Sequence, residues 1–127
     1  MRFRPTCVIF GLGLERVLGV EMKIEFFYFA DCPSHGAALE RLRKVLREEG
    51  VSAGIEIVKV KTDSQAARLR FIGSPTIRID GRDIDPGGLE GQAPALTCRV
   101  YHHEDGRFSP LPSEQMIHAA LRRGDGP

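Results

Sequence analysis

Apolar residues are densest between Ile24 and Phe29, where only Glu25 interrupts a β-branched and aromatic run. Such content predicts a strand buried on both faces. The spacing then changes: Ala38, Leu39, Leu42, Val45 and Leu46 recur every three or four residues, as on one face of a helix, and Gly50 offers a left-handed stop. Ile55 to Lys61 reads as a second strand with Ile55, Ile57, Val58 and Val60 as its apolar members. Thr62 or Asp63 can cap a short helix over Ser64 to Phe71, whose apolar face is Ala66, Ala67, Leu69 and Phe71. After Gly73-Ser74-Pro75-Thr76 the chain alternates, Ile77 and Ile79 against Thr76 and Arg78. Asp80-Gly81 then signals a two-residue hairpin that returns over Arg82 to Ile84.

The remainder is less regular. A glycine- and proline-rich loop from Asp85 to Ala95, longer than a small domain needs, leads into Leu96 to Tyr101, a short run with strand character. His102 and His103 precede Glu104-Asp105-Gly106, a turn, where paired histidines are expected to be exposed. Ser113 is placed to cap a last helix in which Met116, Ile117, Ala120 and Leu121 cover a sheet face, Arg122 and Arg123 suit the negative end, Gly124 ends the helix and His118 lies at the surface.

The 127 residues are 42% hydrophobic with a formal charge of +1, enough for one core and without the basic excess that nucleic acid would attract. No run approaches the roughly 18 apolar residues of a membrane span. Three cysteines, Cys7, Cys32 and Cys98, do not make a secreted disulfide framework, so a reducing cytoplasm is the expected setting. Residues 1–22 admit three readings. Arg2 and Arg4 before an apolar run outline a signal peptide, although Glu15 and Arg16 end it early and no small-x-small site follows. The others are an extra βα unit, with Cys7 as a small hydrophobe, and a leader translated upstream of Met22.

Candidate chemistry centres on Cys32, where the first strand hands over to the first turn of a helix. Unpaired backbone N–H groups and the helix dipole favour thiolate there, and the bottom-up expectation is an accessible, acidified sulfur. Pro33 suits a first helical turn, since its missing N–H would go unpaired anyway. A cis bond between Ser74 and Pro75 would leave the backbone of Ser74 free to pair with an extended substrate.

The stretch Phe26-Phe27-Tyr28-Phe29-Ala30-Asp31-Cys32-Pro33-Ser34-His35, taken with Gly73-Ser74-Pro75-Thr76, resembles the thioredoxin family. The resemblance is good over Lys23 to Ile84 and less specific for the last helix. It implies an α/β fold, a three-layer α/β/α sandwich with a mixed central sheet in βαβ-α-ββ-α order. That domain would span residues 23–123, with an extension before it, an inserted loop before the last helix and a tail over 124–127. It further implies Cys32 as nucleophile, Pro75 as the cis-proline packed beside it, and Pro33, Ser74, Pro75 and Thr76 as the substrate-binding surface; no cofactor is implied. Small bacterial thioredoxin-like proteins, some labelled alkylmercury-lyase-like, have a segment similar to Cys98-Arg99-Val100-Tyr101.

The departure from that pattern is His35, which stands where a dithiol protein has its second cysteine. Protonated, it would lower the thiol pKa of Cys32 or share a metal with the sulfur; otherwise it is a solvent-facing residue of a decayed motif. Cys98 has three readings: it resolves a mixed disulfide at Cys32, holds a soft metal with it, or is a buried core thiol. The functions that follow are thiol–disulfide exchange with a protein or small-molecule thiol or disulfide, capture of mercury, copper or zinc through Cys32 with Cys98 or His35, and a non-catalytic interaction domain.

Overall fold

The computed structural model describes residues 22–89 and 91–125. The expectations for Cys7 and for an extra βα unit fall on residues 1–21 and lie outside the described residues. Among the described residues the chain is a mixed α/β fold with a mixed four-stranded sheet and three α-helices. In chain order the elements are β1 (Ile24–Tyr28), α1 (His35–Glu48), β2 (Ile55–Lys59), α2 (Asp63–Leu69), β3 (Thr76–Ile79), β4 (Arg82–Asp83), β5 (Tyr101–His102), β6 (Phe108–Ser109) and α3 (Glu114–Asp125).

The sheet runs β2-β1-β3-β4. β1 pairs in parallel with β2 and antiparallel with β3, Ile24 lying opposite both Ile55 and Ile79. β1 is thus an inner strand, as its apolar composition predicts. Its pleat divides the core. Ile24 and Phe26 join Ile77 and Ile79, the stripe Ala38, Leu42, Val45 and Leu46 of α1, and Ile117, Ala120 and Leu121 of α3. Phe27 joins Val60, Ala66 of α2 and Phe71 in a second cluster. Each large apolar side chain so buried contributes about 1.5–3 kcal/mol, and the α1 stripe alone supplies three of them.

Local chemistry sets the boundaries. Gly50 is left-handed at φ 71°, Val51 N–H donates to Leu46 O and Gly50 N–H to Arg47 O, closing α1 with paired C-terminal bonds. Thr62 Oγ1 accepts from Gln65 N–H at the start of α2. Arg78 donates to the carbonyls of Leu69 and Arg70 at the other end while stacking on Phe27, which places a cation at the helix's negative pole. Asp80 and Gly81 both have positive φ, as the β3–β4 turn requires. β2 is two residues shorter than expected, with Val60 buried beyond its end and Ile57 45% exposed at the sheet edge. α2 runs 63–69 rather than 64–71, leaving Ala67 exposed, and α3 continues one residue past Gly124. β5 and β6 form a separate ribbon, in which exposed His102 meets Phe108 edge-on, while His103 opens the turn.

His118 is partly exposed at the surface and also bridges helices, with Nδ1 on Glu49 and Nε2 on Glu48 at the end of α1, and Arg122 also on Glu49. The hydrogen bond to Glu49, ahead of that to Glu48, raises its pKa from the ordinary 6.5. A raised folded-state pKa means that the linkage is complete below the unfolded value and is lost as pH rises through the folded one. Urea midpoints of the wild type should therefore fall, relative to His118→Gln, as pH increases upward from about 6.5; parallel curves for the two proteins would show that the bridge does not contribute.

Candidate functional site

The turn after β1 places Cys32. Cys32 N–H donates to Phe29 O at 2.9 Å, folding the chain back at the end of the strand, and α1 begins only at His35. Cys32 and Pro33 thus precede the helix rather than forming its first turn. Ser34 is the N-cap residue, yet its side chain makes no cap bond. Its hydroxyl lies instead 3.2 Å from the Cys32 sulfur.

On the far side of the sulfur lies Ser74, reached through the loop before β3. The Ser74–Pro75 bond is cis, and Cys32 Sγ donates to Ser74 O at 3.4 Å. The Ser74 backbone is not free for a substrate: its N–H donates to Thr97 O at 2.8 Å and its carbonyl accepts from Arg99 N–H at 2.9 Å. The chain's own segment 97–99 has taken that edge in parallel, with Cys98 opposite Ser74. This close approach depends on Gly73, where a Cβ would come within 2.9 Å of Arg99 Cβ and 3.1 Å of its backbone.

A buried ion pair fixes the segment. Arg99 grips both oxygens of Asp83 at 2.7 Å, and their side chains are only 3% and 2% exposed. Its remaining hydrogen bonds go to Thr76 Oγ1 and Asp85 O, and its guanidinium lies 4.4 Å from the Tyr101 ring centroid. The Tyr101 hydroxyl donates to Pro75 O, and burial raises its pKa, so it remains a donor. Thr76 Oγ1 donates to Gly73 O. Ser74, Pro75 and Thr76, expected to contact substrate, are themselves buried beneath residues 97–101.

Two expectations about Cys32 change. It is not accessible, being 1% exposed, whereas Cys98 is exposed. His35 does not bond the sulfur: its ring stacks on Tyr28 with centroids 4.5 Å apart. Burial opposes ionisation of Cys32, but the Ser34 hydroxyl, together with the nearby Ser74 and Cys98 side chains, outweighs it and holds the thiol below its ordinary pKa. Cys98 moves the other way, raised first by loss of solvent and then by its neighbour Cys32. The Ser74 hydroxyl is buried without a hydrogen-bond partner among the described residues. An unpaired buried donor costs about 1–3 kcal/mol, and a thiolate at Cys32 supplies the acceptor it lacks.

Cys32, Ser74, Pro75 and Cys98 are therefore brought together, and Pro33 stays exposed at the rim. For a metal, the described residues contain no group of three or more His, Cys, Asp or Glu side chains arranged so that they could hold an ion. Sequence reasoning missed Ser34, Asp83, Arg99 and Tyr101 as parts of the site. The available signal was an arginine inside the apolar run Leu96 to Tyr101, with an aspartate beside Ile84. No match is found for the chain among protein-family models, curated proteins or solved structures.

Two outcomes test this geometry. Replacing Ser34 by Ala should raise the lowest apparent thiol pKa, read from thiolate absorbance against pH; an unchanged titration would show that the hydroxyl does not acidify the sulfur. Asp83→Asn leaves Arg99 buried and uncompensated, and should cost about 3–5 kcal/mol in urea unfolding.

Proposed function

We propose that this is a thiol–disulfide exchange protein of thioredoxin-like fold whose working pair is Cys32 and Cys98. The observation that carries the reading is that two cysteines from distant parts of the chain meet at one residue, Ser74. The order β1-α1-β2-α2-β3-β4, followed after the β5–β6 ribbon by α3, and the cis bond before β3 support the fold assignment. Cys98 takes the place of the second cysteine that position 35 lacks.

The chemistry follows from the inequality of the two sulfurs. In thiol–disulfide exchange the better leaving group is the thiol of lower pKa. Cys32, with its hydroxyl donors and the orphaned Ser74 Oγ, is built to carry negative charge; Cys98 is not. A second reading, capture of a soft cation such as mercury or copper(I) between the two thiolates, draws on the same juxtaposition. No helix among the described residues is long and apolar enough to cross a membrane, and a reducing cytoplasm is the setting this reading takes.

Equilibration of the protein in dithiol redox buffers, followed by acid quench and mass mapping, tests the reading. The expected result is one reversible internal disulfide joining residues 32 and 98, which closes a long loop and raises stability by up to about 4 kcal/mol. Residues 32 and 98 that stay unpaired under oxidising conditions would overturn it, and stoichiometric two-sulfur mercury binding without a disulfide would favour capture.

A further inference from the structure

The two sulfurs differ in reach as well as in charge preference. Cys32 lies beneath Ser34 on one side and Ser74 on the other, with segment 97–99 hydrogen-bonded across the Ser74 backbone. An incoming molecule cannot pair with Ser74 because both of its backbone groups are occupied by Thr97 and Arg99. Cys98 is on the outer side of that segment and exposed, and Arg99, clamped by Asp83, holds it in register.

Building on the proposed exchange function, we infer that Cys98 is the sulfur that forms the mixed disulfide with outside partners, while buried Cys32 is the internal leaving group and resolving thiol. In the oxidised protein an external thiolate attacks Cys98 Sγ. A bond forms between that sulfur and Cys98, the Cys98–Cys32 bond breaks, and the electron pair leaves on Cys32. A second external thiolate attacks the partner sulfur of the mixed disulfide and releases Cys98, which takes up a proton. Two external thiols become one disulfide, and the protein disulfide becomes two thiols. In reverse, Cys98 opens an external disulfide and the Cys32 thiolate displaces the remaining partner from Cys98. Because segment 97–99 already occupies both backbone groups of Ser74, the substrates this ordering points to are small-molecule thiols and disulfides, which need no strand pairing there.

The test uses reduced full-length protein and glutathione disulfide. Adducts are acid-quenched and mapped to individual cysteines, so that Cys7 is scored separately. Cys32→Ser should accumulate a glutathione adduct on Cys98 at least about tenfold faster than Cys98→Ser gains one on Cys32. The short-lived adduct trapped in the wild type, which does not depend on the variants folding, should also map to Cys98. An adduct mapping first to Cys32 in the wild type, or forming on Cys32 in Cys98→Ser as fast as on Cys98 in Cys32→Ser, overturns this ordering while leaving the 32–98 pair as the redox centre. A wild type that closes no internal disulfide overturns the underlying exchange reading as well.

Discussion

A guanidinium almost wholly removed from water is the constraint on which the rest of this molecule turns. Burying one partner of such a pair alone would be prohibitive, and even the complete pair adds little net stability over an apolar substitute. What Arg99 and Asp83 supply is position. The bidentate geometry fixes residue 99 against the β3–β4 hairpin. Residue 98 is then set opposite Ser74, and through Ser74 opposite Cys32. Tyr101 reinforces the arrangement by tying the same segment to Pro75.

Around that clamp, local and long-range forces agree. The α1 stripe, the inner strand β1 and the Asp80-Gly81 turn each express a preference readable over a few residues, and they converge on one sheet with apolar clusters on both faces. Ser34 is the one place where local preference yields. A serine at an N-cap ordinarily accepts from the helix's free N–H groups; here its hydroxyl faces the sulfur instead. Helix stability is exchanged for stabilisation of charge on Cys32.

These contrasts explain what the sequence could and could not convey. Strands, helices and the hairpin were legible because hydrophobic period and turn residues are local signals. Cys32 and Pro75 were legible as a motif, and Cys98 as a candidate third member. Exposure was not: a thiol before a helix reads as accessible unless it is known that residues 97–99 lie across it. The part expected of His35 failed to materialise at the sulfur for a similar reason, since its stacking on Tyr28 depends on how α1 leaves β1. The pairing of Arg99 with Asp83 was not legible, because nothing in one sequence tells which charges will face each other in the interior.

Gly73 ties two distant parts of the chain into one inherited unit. With its α-carbon pressed against the backbone of Arg99, it has no room for any side chain while that segment is in place. A side chain at position 73 would be strained by its own backbone, with φ at +156°, and would push segment 97–99 off the Ser74 edge as well. The smallest residue in the loop thereby decides whether residue 98 can stand opposite Ser74 at all.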